Sequence, residues 1–141
     1  MKKILIIGST GLFGINFVAK LKDKYQLICN EYKKKNKIIK NTVKINFLDK
    51  KDINDKIKSI NPDIILNCSG LTDLNKCEKN KKLAFNSNFM IIKNLCEVIK
   101  NSKIKFVQIS TDHLFRGDKE SYYDEKDKKN PINYYSVTKS L

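Results

Sequence analysis

The sequence predicts an α/β protein, a doubly wound parallel sheet with helices on both faces. Three observations carry this reading. Short apolar runs alternate with stretches of helical spacing from one end of the chain to the other. The runs are apolar on successive residues, as strands covered on both sides require. And three of the five glycines fall within Gly8-Ser9-Thr10-Gly11-Leu12-Phe13-Gly14, directly after the first run. Right-handed crossovers then give the strand order 3-2-1-4-5.

Each element follows in turn. Lys3 to Ile7 is a short apolar strand ending at a glycine. Leu12 to Lys22 carries Leu12, Ile15, Val18, Ala19 and Leu21 near helical spacing. Gln26 to Asn30 is a second strand, and Glu31 to Lys40 a basic connector with Lys33, Lys34, Lys35 and Lys37. Thr42 to Phe47 reads as a third strand. Asp49 is placed to cap a helix over Lys51 to Ile60, which Asn61-Pro62 ends. Asp63 to Asn67 is the fourth strand. A polar loop precedes one long helix from about Lys81 to Lys100, with Leu83, Met90, Ile91, Leu95 and Val98 inward. Lys105 to Ser110 is the fifth strand. A charged loop runs from Gly117 to Pro131, and a last helix begins near Tyr134.

Composition narrows the class. The chain has 141 residues, enough for one domain with a real core. No apolar run approaches the roughly 20 residues of a membrane helix, and the run Ile4 to Ile7 is too short for a signal peptide, so a cytoplasmic protein without a membrane partner is expected. The formal net charge is +14, yet 28 of the 29 basic residues are Lys and the remaining one is Arg116. Nucleic-acid readers favour the forked guanidinium. The chain also holds 16 Asn and 19 Ile, a combination that AT-rich coding produces, so no nucleic-acid partner is expected. Cys29, Cys68, Cys77 and Cys96 form no C-x-x-C pair, and His113 is the sole histidine; free thiols and no metal site are expected.

The glycine run carries the first chemistry. Between a strand and a helix, a turn without side chains lets backbone N–H groups approach a pyrophosphate, and the helix terminus adds partial positive charge. In that context the pattern marks a Rossmann-type NAD(P)-binding turn, with Gly8, Thr10, Gly11, Leu12, Phe13 and Gly14 at the phosphates. At the end of the second strand, Glu31 suits the ribose hydroxyls of NADH. The lysines after it suit the extra phosphate of NADPH, and they tilt the reading without deciding it. Asn46 and Phe47, at the end of the third strand, are candidates to line the adenine.

The second chemistry is proton donation. Hydride reduction of a ketone leaves an oxyanion, which a tyrosine can protonate when a cation lies close. A lysine four residues on lies on the same helix face. Tyr135 and Lys139 have this spacing, but with six Tyr and 28 Lys chance alone gives about one such pair, and Tyr122 with Lys126 is a second. Position favours Tyr135. It follows Asn130-Pro131, where a helix can start, and comes 24 residues after Thr111 at the end of the fifth strand. Ligands bind at such strand ends. Thr111, rather than Ser110, can then hold the carbonyl.

At this point the chain resembles a family. Asp63-Ile64-Ile65-Leu66-Asn67-Cys68-Ser69-Gly70-Leu71-Thr72-Asp73-Leu74-Asn75-Lys76-Cys77-Glu78 is similar to the D-V-I-x-N-A-A-A-Y-T-x-V-D-K-A-E of dTDP-4-dehydrorhamnose reductases, which are extended short-chain dehydrogenases. Ser110-Thr111-Asp112-His113-Leu114-Phe115 resembles their S-T-D-Y-V-F, and Tyr123, Glu125, Asp127, Pro131, Asn133, Tyr135 and Lys139 continue the match. Asn88 fits the Asn of the long helix. The resemblance implies NADPH- or NADH-dependent reduction of a 4-keto nucleotide sugar. It assigns Thr111 as orienting hydroxyl, Tyr135 as acid, and Lys139 as the cation that also grips the nicotinamide ribose. Cys68, Ser69 and Gly70 would run along the cofactor. His113 and Arg116 depart from the family's Tyr and Asp.

The resemblance also sets the domain expectation. Residues 1–141 form an incomplete NAD(P)-binding domain, with the substrate domain absent, so the piece by itself is expected to be inactive. A homodimer is the assembly it allows for the full-length protein. Two rival readings stay open: a nucleotide-sugar epimerase or dehydratase of the same superfamily, and a non-catalytic dinucleotide-binding regulatory subunit.

Overall fold

The structure, a computed structural model, describes residues 1–31 and 38–141. Lys33, Lys34, Lys35 and Lys37, and with them the contact expected for an extra phosphate, lie outside the described residues. In chain order the elements are β1 (Lys3–Ile7), α1 (Leu12–Leu21), β2 (Gln26–Asn30), β3 (Thr42–Val43), α2 (Lys50–Ile60), β4 (Ile64–Asn67), α3 (Leu74–Lys79), α4 (Lys81–Phe85), a π turn (Asn86–Met90), α5 (Ile91–Ile99), β5 (Lys105–Gln108), a 3-10 turn (Asp112–Leu114) and α6 (Tyr134–Ser140). They fall into two compact units, residues 1–70 with 91–109, and residues 71–90 with 110–141.

The first unit is the sheet. Its strands are all parallel in the order β3-β2-β1-β4-β5, as expected. Side chains alternate across a strand, and both sets are buried here. Leu5, Ile7 and Ile65 join Ile53 and Ile57 of α2 and Leu95 and Ile99 of α5 on one side. Ile4, Ile6 and Leu66 join Val18 of α1 on the other. This two-sided burial is why the strands read as unbroken apolar runs. Asp49 caps α2 as expected, its carboxylate accepting from the N–H groups of Lys51 and Asp52. Asn61 ends the helix in the left-handed region, with Pro62 after it.

Three expectations need correction. The third strand pairs over Thr42–Val43 alone. The chain leaves the ladder to turn into α2, with the Asn46 N–H donating to the Asp52 carboxylate at 2.7 Å. Ile45 and Phe47 remain buried, so the stretch imitates a strand. In α1, Leu12 and Ile15 are 80% and 43% exposed, not inward. Gly14, Phe17, Val18 and Leu21 form the covered face. The expected helix over 81–100 is not one element, because the π turn interrupts it.

The second unit has a smaller apolar centre, Cys77, Ala84 and Tyr135, flanked by Leu71 and Tyr134. Helix α3, expected as loop, starts at Asp73, whose carboxylate accepts from the Lys76 N–H at 3.0 Å. That hydrogen bond holds the Asp73 carboxyl below the usual carboxylate range. Ala84, rather than the 46% exposed Leu83, is the inward residue of α4. Among the described residues no helix is long and apolar enough to cross a membrane.

Candidate functional site

In the sheet unit, β1 ends in a turn that requires glycine at positions 8 and 14. Gly8 has φ +76°, a region costly for other residues. A Cβ there would stand 2.7 Å from the Ser69 nitrogen. A Cβ on Gly14 would stand 2.1 Å from the Gly8 carbonyl oxygen and 2.7 Å from the Ser9 Cα. The turn is closed by the Gly11 N–H donating to the Gly8 oxygen at 3.1 Å. Gly11 is the N-cap of α1 and, having no side chain, makes no cap hydrogen bond to the N–H groups of the first turn. Thr10, Gly11, Leu12 and Phe13 are exposed around them. An uncapped helix start on a side-chain-free turn suits a diphosphate.

The residues after β4 shape the neighbouring wall. The Asn67 amide oxygen accepts from the Ser69 N–H (3.0 Å) and hydroxyl (2.6 Å), while its nitrogen donates to Gln108 at 2.7 Å. This turn holds the Cys68–Ser69 backbone against Gly8. Burial pushes the Cys68 thiol up to about 11, which keeps it uncharged at neutral pH and compatible with an anion nearby. Gly70 is exposed. Glu31 follows β2, its N–H donating to the Val43 oxygen at 2.8 Å. Asn46 is exposed and accepts from the Leu48 N–H. The Phe47 ring is packed in the core and its carbonyl accepts from Asn94, so the ring serves packing.

In the second unit, Asn133 caps α6 by accepting from the Ser136 N–H (2.9 Å) and hydroxyl (2.7 Å). The Tyr134 N–H donates to Glu78 of α3 at 2.6 Å. The helix so fixed buries Tyr135 to 8% exposure and carries Lys139 one turn later. Burial pulls the Lys139 ammonium below the usual lysine range. Thr111 caps the 3-10 turn: its hydroxyl oxygen accepts from the His113 N–H and its proton goes to Asp112, both at 3.3 Å. The His113 ring meets the Tyr135 ring edge-on, centroids 5.9 Å apart at 77°. The turn that starts at Thr111 and the helix of Tyr135 and Lys139 are therefore in contact.

Asn88 has a larger part here than its place in the motif comparison suggested. In the π turn it is 2% exposed. Its oxygen accepts from the Leu71 N–H at 2.7 Å, and its nitrogen donates to the Leu71 oxygen at 3.1 Å and to the Thr138 hydroxyl at 3.0 Å. Thr138 donates in turn to the Tyr135 carbonyl at 2.7 Å. The widened helical turn thus ties the backbone of the Tyr135 helix to the chain at Leu71. Such turns often mark functional places.

Parallel strands in this order, with the glycine turn at the end of the first, define a Rossmann-type nucleotide-binding protein. More narrowly, the chain belongs to the family described as the RmlD substrate binding domain, whose model matches residues 1–141. It is 25% identical over 135 residues to the probable low-salt glycan biosynthesis reductase Agl14 of Haloferax volcanii, covering 95% of this chain and 45% of that protein. It resembles the structure of a hypothetical dTDP-4-dehydrorhamnose reductase from Sulfolobus tokodaii with a TM-score of 0.89 and 32% identity, covering 100% of this chain and 50% of that one. It resembles dTDP-4-dehydrorhamnose reductase from Bacillus anthracis, solved in complex with NADP, with a TM-score of 0.82 and 26% identity, covering 99% and 47%. The chain spans about half the length of the relatives it matches.

Proposed function

We propose that the protein is a reductase that uses NADPH or NADH to convert the 4-keto group of a nucleotide sugar to an alcohol, as the dTDP-4-dehydrorhamnose reductases named among its relatives are called. The observation that carries this is the pair on α6: a buried Tyr135 and, four residues later, a lysine whose charge burial disfavours.

The residues divide the work. Gly8 to Gly14 hold the diphosphate of the dinucleotide through bare N–H groups, and the neutral Cys68 with Ser69 and Gly70 runs along it. When bound, the dinucleotide supplies a hydride. The Thr111 hydroxyl, whose proton goes to Asp112 in the structure, turns that proton to the substrate carbonyl oxygen. Tyr135 Oη donates its proton to that oxygen as charge grows there. Lys139 keeps a cation on the same helix face, so that the phenolate left behind is stabilised.

The test is Tyr135→Phe in the full-length protein, with NADPH oxidation followed on dTDP-4-dehydrorhamnose. General acid catalysis contributes about 10²- to 10⁴-fold, so turnover should fall by about that factor while NADPH affinity stays. Turnover that survives the substitution would remove Tyr135 from the chemistry and this reading with it.

A further inference from the structure

Tyr135 is the second residue of α6, a helix of seven residues. A helix this short has little stability of its own, so its attachments to the rest of the unit decide where the phenol lies. Two of them meet at Tyr134, the residue before the proposed acid. The Tyr134 N–H donates to the Glu78 carboxylate at 2.6 Å, across 56 residues of sequence. The Lys81 Nζ lies 5.3 Å from the centre of the Tyr134 ring, a cation–π distance. Backbone and ring of one residue are thus held from a single short stretch of chain.

The bond from Glu78 answers a specific need. The N–H groups of a first helical turn have no acceptor within the helix. Asn133 takes the Ser136 N–H, and Glu78 takes that of Tyr134. A charged acceptor makes such a bond about twice as strong as a neutral one, and the start of a helix favours negative charge. The support behind Glu78 is firm. Cys77, beside it, has no exposure, and its thiol donates to the Leu71 carbonyl at 3.2 Å. Cys77 also shares a buried cluster with Ala84 and with Tyr135 itself. Between Glu78 and Lys81, Asn80 caps α4 by accepting from the Leu83 N–H at 3.0 Å.

We infer that Glu78 is a positioning residue for the reduction: by holding the Tyr134 N–H, its carboxylate fixes where Tyr135 delivers its proton. This rests on the reading of Tyr135 as the acid. Proton transfer needs heavy atoms about 2.6–3.2 Å apart, and a misplacement of about 1 Å can cost about 10²-fold. Glu78 therefore acts on turnover rather than on binding.

The test is steady-state reduction of dTDP-4-dehydrorhamnose by the full-length protein, counted per NADPH-binding site so that unfolded molecules do not enter. Glu78→Ala should lower kcat at least about tenfold, with KM and NADPH affinity within about twofold of wild type. Glu78→Gln keeps an acceptor oxygen and should recover most of the loss. Glu78→Asp keeps the charge but is one methylene short, so it should behave like Glu78→Ala and carries the test if that variant does not fold. A role in stability alone would lower the melting temperature and leave kcat per site unchanged. Combined with Tyr135→Phe, Glu78→Ala should add little further loss, because the two act through one step. Wild-type kcat in both Glu78→Ala and Glu78→Asp, equal losses in Glu78→Gln and Glu78→Ala, or losses that multiply in the double variant would overturn the inference. Failure of the acid assignment looks different: Tyr135→Phe by itself would then keep its turnover.

Discussion

In the sheet unit, Leu5, Ile6, Ile53 and Ile65 have no exposure at all, and the strands carry apolar side chains to both faces. In the second unit the buried apolar side chains are Cys77, Ala84 and Tyr135, and much of the remaining order comes from polar groups. Asp73, Asn80 and Asn133 cap helices there, and Asn88 bridges Leu71 and Thr138. One unit is stabilised chiefly by removing hydrocarbon from water, which tolerates small shifts. The other relies on directional bonds that fail when a single partner is lost. The same division runs through the chemistry. The sheet unit offers backbone N–H groups, whose positions are set by glycines. The second unit offers side chains, whose positions are set by hydrogen bonds.

The largest effect should come from the glycine turn. Gly14→Val forces atoms into space already occupied by the Gly8 carbonyl and the Ser9 Cα, at 2.1 and 2.7 Å from the first added carbon. Backbone atoms cannot rotate aside as side chains do. Overpacking of this kind costs about 3 kcal/mol or more, and the unfolding midpoint should drop by about 10 °C. Dinucleotide binding should vanish in any protein that still folds. A variant with unchanged melting and unchanged NADPH affinity would show that the turn is not held as described.

The next effect tests the polar unit. Asn88→Ala removes the acceptor of the Leu71 N–H and the donors to the Leu71 carbonyl and Thr138. Leaving buried partners unsatisfied costs about 1–3 kcal/mol. Hydrogen exchange should localise the loss. Amides of α6 should exchange faster, while those of β1 and β4 keep their protection. Uniform acceleration across both units would mean that the two do not differ in the way their cores suggest.

This contrast also explains what sequence alone made legible. The sheet order and the position of α2 were readable because apolar alternation and an Asp cap act locally, within a few residues. Gly8, Gly11 and Gly14 stood out because the chain has few glycines, and Gly8 and Gly14 answer a backbone demand. Tyr135 and Lys139 stood out through their spacing and distance from Thr111. Helix α3 escaped because its six residues show one buried side chain, Cys77, and no apolar stripe. The π turn escaped because its cause is the set of distant partners that Asn88 finds, among them Thr138, 50 residues on. In a chain with 16 asparagines, neither Asn88 nor Asn67 looks exceptional until its partners are known. Leu12 and Ile15 misled for a related reason: helical spacing marks a stripe but not where the sheet meets it.

The smallest effect is chemical rather than structural, and it probes the wall beside the glycine turn. The Cys68 thiol is pushed up to about 11 by burial, against about 8.5 for an ordinary cysteine. Iodoacetamide reacts with the thiolate. At pH 8 a group of that acidity is ionised in about one copy in a thousand, so modification should be slow. Its rate should climb about tenfold per pH unit, with no plateau before about pH 11. Peptide mapping separates Cys68 from Cys96, which is also partly buried and raised by burial but lies on α5. A plateau near pH 8.5 would mean that the Cys68–Ser69 backbone does not shield the thiol, and the close approach to Gly8 would then be in error. Added NADPH sharpens the comparison further. If the residues after β4 run along the dinucleotide, it should slow modification of Cys68 and leave Cys96 unaffected. Equal protection at both would indicate general tightening of the sheet unit, and protection at neither would take Cys68 out of the cofactor's path.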